Sequence, residues 1–384
     1  MTWRKALVWV RDSWSILGLA FLGLLVLEAL ALLICLAIPE HAPLRVLEAD
    51  FFNEADWAGD YVREYRQSEP VSWNSYVYWR RPAFAGKYIH VDERGLRRTW
   101  GPESLPDDAK KVFFFGGSAM WGTGARDAHT IPSQVAKILD QKGIAVRCFN
   151  FGESGYVSTQ ELIALALEVR RGNIPDVAVF YDGFNDVVAA YQAGSAGLPQ
   201  NESDRRIEFN LSRRPGETFW HSAGGLLRRS GLGRLFGRIA GGGDDRFPLL
   251  DGEKAARLAR EQVEIYQANL RLISALAAEY KFTPLFYWQP TILSKTHKTP
   301  YEQTWIKEED GLLALLDLVN REIQQNRPLN DDPRFCDLSG LFGRTPQGLF
   351  ADYCHVSEEG NRRVAERMAA DISSAISAPG ESNP

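Results

Sequence analysis

Four short segments of this chain hold residue types that could act together on an acyl group: FFFGGSAMWG ending at Gly122, NFGESGY ending at Tyr156, YDGFND ending at Asp186 and DYCH ending at His355. The first places Ser118 on a turn between an apolar run and a helix-like stretch. A serine hydroxyl is a poor nucleophile until a base takes its proton, and neutral imidazole suits that task near pH 7. His355 can be that base. Asp352, three residues earlier, can reach the ring's other nitrogen, fix its tautomer and stabilise the imidazolium. A tetrahedral intermediate also needs donors for its oxyanion. The N–H groups of Ser118 and Gly155 and the side-chain amide of Asn185 can supply three. Glycine at 155 allows close approach of the main chain, and a helix start at Ser118 adds a favourable dipole.

Each piece alone has an ordinary reading. Gly-Gly-Ser is a common turn, Asn185 could cap a helix, Gly155 could be a plain turn glycine, and Asp352 and Glu358 could be solvated charges. The ordered set is what singles them out. Trp121 and Asp182, beside these blocks, are candidate walls of a substrate cleft. His41, His90, His129, His221 and His297 read as surface or structural residues.

The elements that must position these residues follow from periodicity. Short apolar runs predict strands over 111–115, 145–150, 177–181, 284–288 and 335–338. Helical patterns fill 131–141, 158–170, 253–280, 312–325 and 357–376, the first opened by Thr130 as N-cap with Pro132 in its first turn. This alternation implies a parallel sheet covered on both faces, with sites at the carboxyl ends of strands. The domain is expected over 109–377, followed by a disordered tail, 378–384.

One stretch breaks the rhythm. Between Val188 and Asp251 lie about 60 residues where a short connection would suffice. Arg228, Arg229, Arg234 and Arg238 there alternate with Leu and Phe. This insert, 188–251, reads equally as a membrane-lying helix, a lid over the site or a surface loop.

Residues 16–38 are apolar except for Glu28, long enough to cross a hydrocarbon core of about 30 Å. Arg4, Lys5 and Arg11 precede this run and Glu40, Glu48 and Asp50 follow it. The charge asymmetry puts residues 1–15 in the cytoplasm and everything after Pro39 outside, periplasmic in a bacterium. Trp9 and Trp14 suit the interface. A cleaved signal would have an apolar core of about 7–15 residues and a small-x-small site, which IPEHAPL does not offer. An acidic residue in this span implies either pairing with another membrane protein or a second copy through Glu28, or a protonated or water-reached carboxyl.

Residues 39–108 form an aromatic-rich stem, with strand, turn and strand expected in KYIHVDERGLRRTW. Its exposed aromatics leave a carbohydrate-binding role open. A net charge of -5 gives no reason to expect a nucleic-acid partner. Four cysteines are too few for a disulfide scaffold, though a bridge between Cys336 and Cys354 is open. No Cys/His cluster has zinc spacing, so neither metal nor cofactor is expected.

The four blocks resemble those of the SGNH/GDSL hydrolase family, over about 110–377. Ser118 matches the family's nucleophile in Gly116-Gly117-Ser118, with Gly117 where the usual motif has Asp. Gly155 matches the oxyanion glycine, Asn185 the third block's asparagine, and Asp352 and His355 the closing D-x-x-H. The resemblance implies a flavodoxin-like α/β/α sandwich and hydrolysis or transfer of acyl groups. The expected function is a membrane-anchored, extracytoplasmic esterase acting on an acyl-ester substrate, such as an acylated cell-surface glycan. An O-acyltransferase using the same serine, and a non-catalytic glycan-binding or assembly protein, are the alternatives.

Overall fold

The computed structural model describes residues 3–37, 49–53, 55–212, 230–233, 235, 251–306 and 311–377. The chain divides into two compact units, Met1–Pro43 with Ser203–Phe247, and Leu44–Glu202 with Pro248–Pro384. The stem and the α/β part, expected to meet at 108/109, thus share one unit.

In that unit the stem contributes a helix, Ala58–Ser68, and two antiparallel strand pairs. These are β1 (Ser72–Asn74) with β2 (Tyr78–Arg80), and β3 (Phe84–Ala85) with β4 (His90–Val91). The helix was not expected from sequence. Its apolar face is only Tyr61, Val62 and Tyr65, packed with Ile89 and Trp121, while Asp60 and Arg63 pair in solvent. Aromatics are weak helix formers, so tertiary packing supplies what propensity does not. The second strand expected after Gly95 shrinks to a bridge, in which Arg97 pairs with Val91 and also with Asn150. That bridge sews the stem to the main sheet.

The main sheet contains β5 (Lys110–Gly116), β6 (Val146–Asn150), β7 (Val177–Asp182), β8 (Thr283–Trp288) and β9 (Phe335–Asp337). All neighbours are parallel, in the order β6-β5-β7-β8-β9, a flavodoxin-like α/β/α arrangement. Side chains alternate between faces, so each strand serves two cores. Val112, Phe114, Val177, Val179 and Tyr181 face helices Ile131–Gln141 and Glu358–Ser377, meeting Val135, Leu139, Val364 and Met368. On the other face Phe115 stacks on Phe151 and Phe180, both at 5.0 Å. Helices Ser158–Arg170, Gly252–Tyr280 and Gly311–Gln325 supply buried residues opposite the first core. Each of these fully buried aromatics contributes about 1.5–3 kcal/mol. Thr130 accepts a bond from the Ser133 amide as N-cap, and Asp251 does the same for Lys254. The chain leaves β5 for β6 on one side, then returns past β5 to β7 on the other. The crevice at the carboxyl ends of β5 and β7 is therefore the switch point where ligands bind in such sheets.

In the other unit, Trp3–Ala37 is a single helix, and its segment Asp12–Cys35 is apolar enough to cross a membrane, with mean hydropathy 2.6. At 1.5 Å per residue that segment spans about 36 Å. Glu28 has a partner within its own chain. Its carboxylate accepts the backbone N–H groups of Gly231 and of Leu232, the latter at 3.1 Å. A Cβ on Gly231 would lie 2.8 Å from the Leu32 nitrogen and 2.9 Å from the Glu28 carbonyl, so only glycine allows this approach. Of the insert, helices Phe184–Ala193 and Glu202–Ser212 occupy the first part. Arg228, Arg229, Arg234 and Arg238, and the tail after residue 377, lie outside the described residues.

Candidate active site

β5 ends at Gly116, and after Gly117 the chain turns into the short helix Ser118–Trp121. The first amides of a helix have no intrahelical acceptor, which leaves donors at the reacting centre. The Gly122 N–H closes the turn on the Ser118 carbonyl at 2.9 Å, with Gly122 at φ +100. Gly117 is small for a visible reason. The side-chain amide of Asn185, at the start of the helix after β7, occupies the space a Cβ there would need.

The residues predicted as a relay are hydrogen-bonded in line. Ser118 Oγ lies 2.6 Å from His355 Nε2, and His355 Nδ1 lies 2.6 Å from Asp352 Oδ2. The arrangement fits a ring whose Nδ1–H donates to the carboxylate while Nε2 accepts from the serine. The other Asp352 oxygen accepts the N–H groups of Cys354 at 2.9 Å and His355 at 2.8 Å, which fixes the turn. Burial works against charge on both partners, but their mutual attraction prevails. His355 is pushed well above its ordinary value and Asp352 is held below the usual carboxylate range.

Asp352, Cys354 and His355 also place ligand-type atoms within 4.8 Å of one another. Burial raises the Cys354 thiol, and Asp352 engages the Nδ1 of His355, so the set is arranged for proton transfer rather than for a thiolate-bound metal. Cys354 and Cys336 are both free thiols, so the bridge left open between them is not formed.

On the oxyanion side, Gly155 adopts φ +76, a conformation glycine takes without strain. The amide nitrogen of Asn185 donates to the Tyr156 carbonyl at 3.0 Å, leaving its second hydrogen for an incoming oxyanion. Gln200 was missed from sequence. It donates to Asn185 Oδ1 at 3.4 Å, and its own Oε1 would lie 2.9 Å from a Cβ on Gly155. No motif flagged it, because its loop position only acquires meaning once the chain is folded.

The stem grips this oxyanion loop from behind. Trp79 Nε1 donates to the Ser154 carbonyl at 2.8 Å, and the Tyr156 hydroxyl donates to the Trp79 carbonyl at 2.5 Å. Arg81 pairs with Glu153 at 2.6 Å, both side chains buried, and Glu153 in turn accepts the Ser154 N–H. Arg97 holds the far end of the nucleophile turn through the carbonyls of Trp121, Gly122 and Ala125.

Two candidate cleft residues are placed elsewhere. Trp121 is fully buried, its ring lying between the guanidinium groups of Arg81 at 3.9 Å and Arg97 at 4.1 Å. Asp182 points into the interior with Glu161 and Asp186. Burial pushes all three carboxyls up, and mutual repulsion adds to this at Glu161 and Asp182. Hydrogen bonds from Ser158 and Gln262 restrain Asp186 to about 6. Trp121 ends a short helix and packs among Tyr61, Val62 and Ile89, and Asp182 ends a strand buried along its whole length, so neither side chain reaches the cleft. Glu358 is not merely solvated, since it pairs with Arg126 at 2.7 Å.

No family model matches this chain, and no curated protein matches it. Among solved structures it is similar to the acetyl xylan esterase AlAXEase, at 17% identity over 68% of this chain and 99% of that one, with a TM-score of 0.37. An acetylxylan esterase from Geobacillus stearothermophilus is 16% identical over 68% of this chain and 94% of its own length, with a TM-score of 0.36. A putative lipolytic protein of the G-D-S-L family from Desulfitobacterium hafniense is 10% identical over 68% and 98%, with a TM-score of 0.35. Likenesses this low leave the chemistry to be argued from the residues themselves.

Proposed function

We propose that the protein is a serine ester hydrolase of the SGNH/GDSL type, held to a membrane by its N-terminal helix. The observation that carries this is the unbroken chain Ser118–His355–Asp352 at the sheet's switch point, with both links at 2.6 Å. In the reaction, His355 Nε2 takes the Ser118 proton as Oγ attacks the ester carbonyl. The new oxyanion lies toward the N–H groups of Ser118 and Gly155 and the amide of Asn185. The imidazolium then protonates the leaving alcohol, and water, deprotonated by the same ring, releases the acid.

The flanking charges support a placement of the domain outside the cytoplasmic membrane. An acylated glycan of the cell surface, carrying acetyl or similar groups, is the substrate such a placement favours. The test is fluorophosphonate labelling of the full-length protein, followed by acyl release from short-chain esters, lipids and acetylated glycans, with and without a sugar acceptor. Labelling at Ser118 with acid release supports the reading. Acyl transfer to the sugar in preference to water would make it an O-acyltransferase. A folded protein that no probe labels would leave a non-catalytic glycan-binding role.

A further inference from the structure

A cavity of about 660 Å³ lies between the helix Ser158–Arg170, the edge strand β6 and the stem, away from the serine. Its cationic lining is Arg80, Arg94, Lys111, Arg147 and Arg171, against the carboxylates Glu93 and Glu168. Lys111 and Arg147 sit near the amino ends of β5 and β6, whereas Ser118 follows the carboxyl end of β5. The groove thus runs along β6, from Arg147 near its amino end to Phe151 just past its carboxyl end, and none of Ser118, Asp352 and His355 lines it.

The charge here is not internally balanced. Glu168 is fully engaged, by Arg94 at 2.5 Å, Arg171 at 2.7 Å and the Asn173 amide at 2.7 Å. Among the described residues neither Lys111 nor Arg147 has a carboxylate within ion-pair distance. Arg80 is the telling member. It is 9% exposed, and its guanidinium meets the carbonyls of Gly95 and Phe151, both at 3.4 Å, and lies 5.6 Å from the centre of the Tyr156 ring, with no carboxylate in ion-pair distance among the described residues. A buried cation without an anion is costly. The turn is nevertheless shaped around it: Gly95 has φ +76, and a Cβ there would lie 2.5 Å from the Arg80 stem.

A second observation lies on the same rim. The β1–β2 hairpin, which gives Asn74 and Val77 to the cavity, exposes Trp73 at 70% and Tyr76 at 65%. Tyr76 and Tyr78 hold φ of 73 and 72, a left-handed conformation rare for bulky residues. Backbone strain of this kind persists where it positions something. Here it leaves flat rings exposed on the hairpin that borders the groove, with Tyr76 6.0 Å from the Arg170 guanidinium.

We propose that this groove binds an anionic polysaccharide, its carboxylates meeting Arg80, Lys111 and Arg147 and its sugar rings lying on Trp73 and Tyr76. A single small anion would need the cations but not the aromatic shelf. The polymer's identity as the acyl carrier rests on the ester-hydrolase reading, whereas its binding does not.

The test is calorimetric titration of full-length Ser118→Ala protein in nanodiscs, so that binding is read without hydrolysis. The probes are a galacturonate oligomer, a neutral cello-oligomer and inorganic phosphate. The galacturonate oligomer should bind, weaken as salt rises, and lose about tenfold or more in affinity in Lys111→Glu/Arg147→Glu. Trp73→Ala/Tyr76→Ala should weaken the galacturonate oligomer and leave phosphate unchanged. In the Ser118 background, Lys111→Glu/Arg147→Glu should cleave a small ester at the wild-type rate, which also shows it folded. Equal binding of the neutral oligomer, indifference to charge reversal, or binding of phosphate alone would overturn the proposal.

Discussion

Arg81 and Glu153 form an ion pair at 2.6 Å with both side chains almost wholly removed from solvent, and it joins the stem to the loop that carries Gly155. The loop that carries Gly155, the proposed oxyanion donor, is thus held by a residue outside the α/β core, one position past the strand that supplies Trp79.

Removing one partner should be severe, because the other is left as an uncompensated buried charge. Arg81→Met or Glu153→Gln should each cost about 3–5 kcal/mol in urea unfolding. Arg81→Met/Glu153→Leu should recover part of that loss. If the surviving fold aims Gly155 poorly, kcat for a small ester falls while KM holds. Additive single costs would show that the pair is not coupled.

Asn185→Ala should lower kcat by about 10²–10³ with little change in KM, since its bond strengthens only as charge develops on the oxyanion. Fluorophosphonate should still label Ser118, more slowly. Gly117→Ala should act in the same direction without touching Asn185 in sequence, because the new methyl takes the space of its amide. A folded Asn185→Ala with wild-type kcat would remove this residue from the site.

The raised affinity of His355 for its proton sets the pH profile. The base must be neutral, so kcat/KM should rise with pH along a limb lying above the ordinary histidine value of 6.5. Asp352→Asn removes the anion that retains the proton, which moves the limb down. It also lowers the plateau by about 10⁴ through the wrong tautomer. The His355 shift contributes stability that is complete below about 6.5 and fades as pH rises through the higher folded value, whereas that from Asp352 is lost as pH falls through its lowered value. A limb that does not move in Asp352→Asn would break this account.

Glu28 should hold the 230–233 turn against the N-terminal helix. Cys35 lies 3.8 Å from the Gly231 carbonyl, so Leu232→Cys offers an oxidative cross-link to it. Glu28→Ala leaves two amides without that acceptor, at about 1–3 kcal/mol each, and should abolish most cross-linking. Undiminished yield would show that the carboxylate is not the anchor.

Much of this architecture was legible in the chain itself. The five strands were apolar runs, and Thr130 was a readable cap. Ser118 and Asn185 could be singled out because each follows its strand within a few residues, and Asp352 and His355 because they sit three apart in one turn. Arg81, Glu153 and Gln200 were not legible, since their partners are distant in sequence and their residue types are ordinary. The helix Ala58–Ser68 escaped because its apolar face is made of tyrosines, which also read as surface residues. Trp121 and Asp182 were misplaced for want of a facing direction at a turn, where neither helical nor strand periodicity applies.

The order of the strands has a consequence for synthesis. Ser118 and His355 are separated by 237 positions. At about 5–20 residues per second, the nucleophile emerges roughly 10–50 s before its base. For that interval the serine is an ordinary alcohol, so a chain still being made cannot attack esters. Any product cut short before His355 is equally inert.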